Sequence, residues 1–543
     1  MRNLTRRDIL IGGAATAASL SLLSAEGCHG GASGAGGNPG IPGVLDAYTL
    51  NTQYSDHVFN GTTLRLRTYN GQIPGPTLYA SPGQPFNVTV VNNFPADAPA
   101  TAVPPVDPMN NPHLFNTTNL HVHGVQVVPH IFEPVGTTDP AAMMVAIAPG
   151  TSKTYNFVLP ADHPPGLYWY HPHHHGSTDV EVSGGMAGLI IVGGNIDMVP
   201  EIAAARDIPL AVQSIQVNLD PANPGIEDLE YVAYQPPATG GYAPRSKYSY
   251  FLANGQLINL LTFAGQGNPS FTSTAFPPPS ISMSPGEVVR LRILNGTNEN
   301  NLPLVLPGFE VYVIGRDGVN FPVPLLLDQT NPANNIFLTN AGRIELLVRA
   351  PQTPGTYKLS GLAITTPGIH PWPKFDLLSI TVAGTPVAMS IPAALPTPTR
   401  EYPLITPGEI VGSRTVVFNS SASTTILPGT AMLVNGAVYA ETSVPPVFNN
   451  MQTGTSEQWT VSNLMPEGHP FHLHTNSFEV ISSTVAGVTT TLNPPQIADT
   501  VWIPQNGSVV LNVRYKTWKG KDVFHCHKLT HEDQGMMANT MLT

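Results

Sequence analysis

Along this chain apolar and polar positions alternate over short runs, and turn residues cut the runs off before a helix could form. Pro82-Gly83 opens Phe86-Asn87-Val88-Thr89-Val90-Val91, whose period of two belongs to a strand with one buried face. Pro285-Gly286 opens Val288-Val289-Arg290-Leu291-Arg292-Ile293, and Thr453-Gly454 opens Gln458-Trp459-Thr460-Val461. Each run ends at an Asn nine positions after its Gly: Asn92, Asn295 and Asn463. Short apolar lead-ins lie upstream, at Pro76-Thr77-Leu78, Pro279-Ser280-Ile281 and Pro446-Val447-Phe448. A second landmark follows in each copy: Gly166-Leu167-Tyr168-Trp169-Tyr170-His171, Gly355-Thr356-Tyr357-Lys358-Leu359-Ser360 and Gly520-Lys521-Asp522-Val523-Phe524-His525. Two landmarks in register, three times over, predict three consecutive all-β domains, each a Greek-key β-sandwich. Residues 190–194 and 380–384 read as closing strands, which sets the domains at 41–197, 198–386 and 387–543.

Composition supports that division. A chain of 543 residues at about 150 per domain makes three or four domains, and 41% hydrophobic against 11% charged residues is the balance of a globular protein. Fifty Gly and 56 Pro would break long helices. A net charge of −12 argues against nucleic acid as a partner, because phosphate binding needs a basic surface. At the N-terminus Arg2, Arg6 and Arg7 precede an apolar stretch from Ile9 to Leu23 that is short for a membrane span. Thr5-Arg6-Arg7-Asp8-Ile9-Leu10 resembles a twin-arginine signal, so residues 1–40 are expected to be an export signal and flexible tether. The mature protein would then be periplasmic or extracellular. Ala25-Glu26-Gly27-Cys28 is similar to a lipoprotein cleavage box, with Glu26 a poor fit, and would tether the chain through Cys28. The other cysteine, Cys526, is the only thiol in the folded body, so no disulfide framework is available.

Histidine carries the chemistry. Of 18 His, ten fall in four clusters: His121-Val122-His123, His171-Pro172-His173, His469-Pro470-Phe471-His472-Leu473-His474, and His525-Cys526-His527 with His531. Two clusters lie in the first domain and two in the third; the middle domain has only His370, with Ser360 and Leu362 at the positions matching His171 and His173. The middle domain therefore reads as a spacer. In a strand His-x-His places both imidazoles on one face, so four pairs supply eight imidazoles if the first and third domains meet. Imidazole suits copper, zinc, iron or nickel. Cys526 must face away from His525 and His527, where it can meet His469, His531 and Met536; a Cys, two His and a distant Met form a blue-copper set.

These motifs, His-x-His-Gly, His-x-His, His-Pro-x-His-x-His and His-Cys-His-x3-His-x3-Gly-Met, resemble those of the multicopper oxidases, particularly three-domain bacterial laccases, over residues 45–543. The resemblance implies cupredoxin-like domains and four copper ions. It gives His469, Cys526, His531 and axial Met536 to a type 1 copper, and His121 and His472 to a type 2 copper. His123, His171, His173, His474, His525 and His527 would hold a type 3 pair. It also implies a monomer whose electrons come singly from a small-molecule or metal-ion reductant, entering at a type 1 His near the surface. They would cross Cys526 and, four at a time, reduce O2 to water. Glu532 matches an acidic position that feeds protons to the cluster, and phenols or aromatic amines are the expected substrates. A cuprous oxidase is the alternative; such relatives carry a Met-rich insertion, whereas the 14 Met here are scattered. An electron carrier or a copper-free structural relative would have no use for all these ligands. The chain departs from the family where an Asp is usual beyond His-x-His-Gly: Phe132 and Glu133 stand there, with Glu133 a substitute. His174 and His175 exceed the ligand count and are read as supporting or surface groups; His57, His113, His130, His163 and His370 receive no role.

Overall fold

One pairing of strands recurs three times along the chain. A computed structural model describes residues 47–97, 109–219, 227–228, 248–264, 270–331, 336–365, 369, 371–423, 425–426, 430–442 and 448–543. The expected export signal, tether and Cys28 lie outside them, as does His370. Ala47–Phe59 runs parallel to Pro85–Asn92, Arg206–Leu219 to Val288–Gly296, and Ile410–Ala422 to Ser456–Asn463. In the opposing sheets Gly75–Ala80 runs parallel to Gly188–Val192, Ser280–Met283 to Phe375–Val382, and Phe448–Met451 to Met537–Leu542. The second of each couple then pairs antiparallel with Gly166–His171, Gly355–Gly361 or Gly520–Cys526, the strands of the second sequence landmark. Three two-sheet sandwiches result, with cores around Val88 and Tyr155, Leu291 and Leu346, and Trp459 and Leu511.

The conserved spacing from Gly to Asn has a physical cause. Gly83, Gly286 and Gly454 have φ of +73°, +78° and +84°, the left-handed turn that feeds each strand. At the far end each Asn is buried and does the same work three times. Its amide donates to two main-chain carbonyls: Asn92 to Asn116 and Ile147, Asn295 to Asn300 and Leu338, Asn463 to Glu467 and Pro504. Its side-chain oxygen accepts the N–H two residues on, from Phe94, Thr297 and Met465. The amide thus closes the corner where the strand leaves its sheet.

Two features depart from three independent sandwiches. The two-residue strand Glu227–Asp228 pairs with Arg206–Leu219 on one side and with Leu64 on the other, so a sheet of 13 strands runs through the first two domains. An otherwise open sheet edge is covered in this way. On Val288–Gly296 both faces are buried, so Arg290 and Arg292, which alternation would expose, are held by Asp197, Asp207 and Glu345. Between the first and third domains two short helices, Thr178–Ser183 and Leu529–Asp533, pack together. Asp533 Oδ1 accepts the Gly176 N–H at 2.7 Å and Oδ2 the Asp179 N–H at 2.9 Å, which ties the domains at that point. No helix among the described residues is long and apolar enough to cross a membrane.

Replacing Asn295 by Leu takes the amide donor from two buried carbonyls, of which Asn300 keeps the Thr297 hydroxyl, and should cost roughly 1–3 kcal/mol of stability, read by denaturant unfolding. A loss under about 0.5 kcal/mol, the range of ordinary surface changes, would show that the amide does not close this corner.

Candidate metal centre

The imidazoles of the first and third domains meet across their interface, and cross-strand pairing sets them up. His121 lies opposite His171 in one sheet, and His472 lies opposite His525 in the other. Strict alternation covers only His121–His123, which is a strand throughout. His173, His474 and His527 lie just beyond the ends of their strands, so the following backbone and not the pleat aims them. The result has an approximate two-fold arrangement. His121 stacks on His474 with ring centroids 4.0 Å apart, and His123 on His472 at 3.8 Å. The Nε2 atoms of His173 and His525 are 3.1 Å apart, and the rings of His171 and His527 are 5.4 Å apart. All eight imidazoles are buried.

The environment selects which nitrogen of each ring points inward. His472 Nδ1 donates to the Asp499 carbonyl at 2.8 Å, and His171 Nδ1 to the Pro172 carbonyl at 2.8 Å, so both leave Nε2 without a partner. His474 Nδ1 lies 3.0 Å from Asp522 Oδ1; His525 Nδ1 and His173 Nδ1 lie 2.9 and 3.4 Å from the two oxygens of Glu532. The Nε2 atoms of these three converge, His474 and His525 at 3.2 Å. His123 is reversed: Nε2 faces Asp499 and Thr500, both at 3.3 Å, and Nδ1 is the unpartnered atom. His121 and His527 have no hydrogen-bond partner on either nitrogen among the described residues. Burial, then the neighbouring imidazoles, hold His121, His123, His472, His474 and His527 well below the ordinary histidine pKa, and burial brings His171 to about 3 and His173 to about 4. These are neutral rings with inward lone pairs and no protein donor to meet them, a combination that fits metal ions.

A second donor set lies behind the strand Gly520–Cys526. His469 Nδ1 is 3.3 Å from Cys526 Sγ, His531 Nδ1 is 4.0 Å from it, and the two Nδ1 atoms are 3.2 Å apart. Met536 is buried in the same apolar cluster, and its carbonyl accepts the Cys526 N–H at 3.0 Å. Burial pushes the Cys526 thiol far up, so a bound cation is what would make it a thiolate. Neither ring is itself open to solvent: His469 is 0% and His531 1% exposed. Glu467 lies beyond, 3.5 Å from His531 Nε2, with 19% of its side chain exposed and Lys528 2.7 Å away.

Sequence reasoning missed several supporting groups. Asp499 and Thr500, in the third domain, touch both stacked rings His123 and His472. Glu133 does not substitute for the usual Asp: it pairs with Lys153 at the surface, 58% exposed. His130 and His163 carry structural roles as neutral imidazoles, each accepting one backbone N–H (Val122 and Gln126) and donating to one carbonyl (Val128 and Pro164). His174 and His175 are buried, not superficial; His174 contacts Ser177, and His175 contacts Asn110. His113 donates to the Asn111 carbonyl and His57 contacts Ser55, both away from the cluster. No described residue of the middle domain joins a metal-capable group, yet its Arg343 reaches the centre, with Nη1 and Nη2 2.7 and 2.6 Å from the oxygens of Asp499. That ion pair explains the Gly of His-x-His-Gly. Gly124 has φ +78°, and a Cβ there would overlap both the guanidinium and the carboxylate.

Family models described as multicopper oxidase match residues 106–195, 244–366 and 417–542. The chain is 24% identical over 502 residues to a bilirubin oxidase of Albifimbria verrucaria, covering 87% of this chain and 71% of that protein. It is 23% identical over 506 residues to a laccase of Bacillus subtilis (strain 168), covering 88% and 90%. Among solved structures, a multicopper oxidase from Campylobacter jejuni described as a metallo-oxidase superposes with a TM-score of 0.67 at 23% identity, covering 91% of each chain. The three sandwiches are accordingly cupredoxin-like domains.

Gly124→Ala should destabilise the metal-free protein by at least about 1–3 kcal/mol, the cost of a strained left-handed residue, before counting the displaced ion pair. Thermal unfolding of the metal-free protein unchanged from wild type would refute the close-approach explanation.

Proposed function

The chain belongs to the multicopper oxidase family and is a copper-dependent oxidoreductase using O2, and from that premise we propose a laccase-like enzyme that oxidises phenols or aromatic amines. In this reading His469, Cys526, His531 and Met536 hold a type 1 copper, and His121 and His472 a type 2 copper. His123, His171 and His527 would hold one member of a type 3 pair, and His173, His474 and His525 the other, making four coppers in all. Bound copper supplies the electron-accepting and oxygen-reducing chemistry.

The single observation that carries this reading is the placement of Cys526. It lies in the His469–His531 group, while its chain neighbours His525 and His527 face the eight-imidazole cluster. The two donor sets are thus joined by covalent bonds over a few residues, about 13 Å at most at roughly 3.3 Å per residue. The remaining residues bind and orient. Asp522, the Asp499 carbonyl and the Pro172 carbonyl fix the proton on the outer nitrogen of His474, His472 and His171, which keeps the inner nitrogen available. Burial of the whole set keeps the rings out of contact with bulk solvent. Glu532 is fully buried and faces the Nδ1 atoms of His173 and His525, where it can hold and pass a proton; burial raises its pKa, but these imidazoles more than offset that and hold it below the usual carboxylate range. Export across the membrane, read from Arg6-Arg7 and the apolar run after it, belongs to the same proposal.

One observation favours the second reading, a cuprous or other metal-ion oxidase. A part-exposed carboxylate, Glu467, lies 3.5 Å from the buried His531 and is paired with Lys528; a carboxylate at that place suits a cation better than a phenol.

Metal analysis of the purified protein should return about four coppers per chain, with the intense visible absorption of a thiolate–copper bond. Parallel kcat/KM measurements on a phenol and on Cu(I) decide between the readings; a preference for Cu(I) of tenfold or more would overturn the laccase-like one. Glu532→Gln should lower kcat at least about tenfold with the visible absorption unchanged, the effect growing as pH rises and protons become scarce. An unaltered pH–rate profile in that variant would remove Glu532 from proton supply.

A further inference from the structure

The middle domain sends one charged side chain to the heart of the centre. Arg343 opens the strand Arg343–Arg349 and is 0% exposed. Besides its two bonds to Asp499, Nη1 lies 3.4 Å from Asp317 Oδ1 and donates to the Ala341 carbonyl at 3.2 Å, while Nε donates to Leu167 in the first domain at 3.4 Å. One guanidinium therefore contacts all three domains. Asp499 in turn touches His123 through its side chain and His472 through its carbonyl, the two rings stacked at 3.8 Å.

We propose that Arg343 is a positioning residue for the trinuclear cluster, clamping Asp499 so that His123 and His472 present the correct nitrogens; this rests on the copper-ligand reading above. The geometry asks for arginine. A planar fork meets both carboxylate oxygens at once and fixes the plane of the carboxylate, which a lysine ammonium cannot do. That plane matters because Asp499 Oδ1 faces Nε2 of His123, the contact that leaves Nδ1 as its inward atom. Without the clamp, Asp499 is free to turn from His123, and the main chain that aligns His472 is left with its strand pairing and the Asp499 N–H bond to Asp317. The cationic partner of Asp499 thus comes from the repeat in which no described residue joins a metal-capable group.

The test compares holoenzyme forms of wild type, Arg343→Gln, Arg343→Lys and Asp499→Asn by copper content, type 2 EPR signal, visible absorption, and kcat with KM for the reductant. All three variants should keep the thiolate–copper absorption and the reductant KM. They should lose copper from the cluster or show an altered type 2 signal, and kcat should fall about 10–100-fold, the usual cost of removing an outer-shell partner. Arg343→Lys keeps the charge and loses the fork, so it decides the matter if Arg343→Gln does not fold. Wild-type EPR and a kcat within about twofold in Arg343→Lys and Asp499→Asn would overturn the proposal. If wild type itself carries one copper or none, the ligand reading fails instead, and that result is separately visible.

Discussion

Eight buried imidazoles share one interface, and most of the architecture can be understood as what that requires. A buried imidazole without partners is costly, and burial together with neighbouring rings keeps His121, His123, His472, His474 and His527 neutral. Neutral rings can approach at 3.8 to 4.0 Å where charged ones would repel. The outer nitrogens of His171, His472 and His474 are met by carbonyls and a carboxylate of the protein, and several inner nitrogens are left for metal. The first and third domains must therefore be held in one relative position. The Asp533 contacts with Gly176 and Asp179, and the packing of the two short helices, do this from one side. Arg343 does it from another.

Much of this was legible in the sequence because it depends on residues near one another in the chain. The Gly-to-Asn spacing marked a strand and its corner in all three domains, and Asn92, Asn295 and Asn463 proved to make equivalent bonds. The His-x-His motifs marked the cluster, although only His121 and His123 sit on a strand as alternation requires. What escaped detection depends on distant partners. Asp499 is 376 residues from His123, and Arg343 is 156 from Asp499, so neither carries a local signature. Glu133 was expected near the cluster from its distance after a motif, yet that loop leads it to Lys153 and solvent. Burial of His531 also could not be read, since it depends on how separate loops close over the third domain.

The middle repeat shows how a domain can lose its ligands and keep a stake in the site. Ser360 stands where the other copies have His171 and His525, and its hydroxyl donates to Asp376 within its own sheet. Meanwhile Arg290 and Arg292 bind acidic groups at the boundary with the first domain, and the Leu529 N–H of the third donates to the Asn298 carbonyl. A spacer would need only length. These buried polar contacts also set angle and register.

The separation of partners along the chain bears on how the protein is made. His173 and His525 meet at Nε2 although they stand 352 positions apart in the chain. A ribosome must therefore pass residue 525 before the imidazoles of the first domain can meet those of the third. Assembly of the full cluster thus waits on the third domain, while the group of His121, His123 and His171 needs the first domain alone.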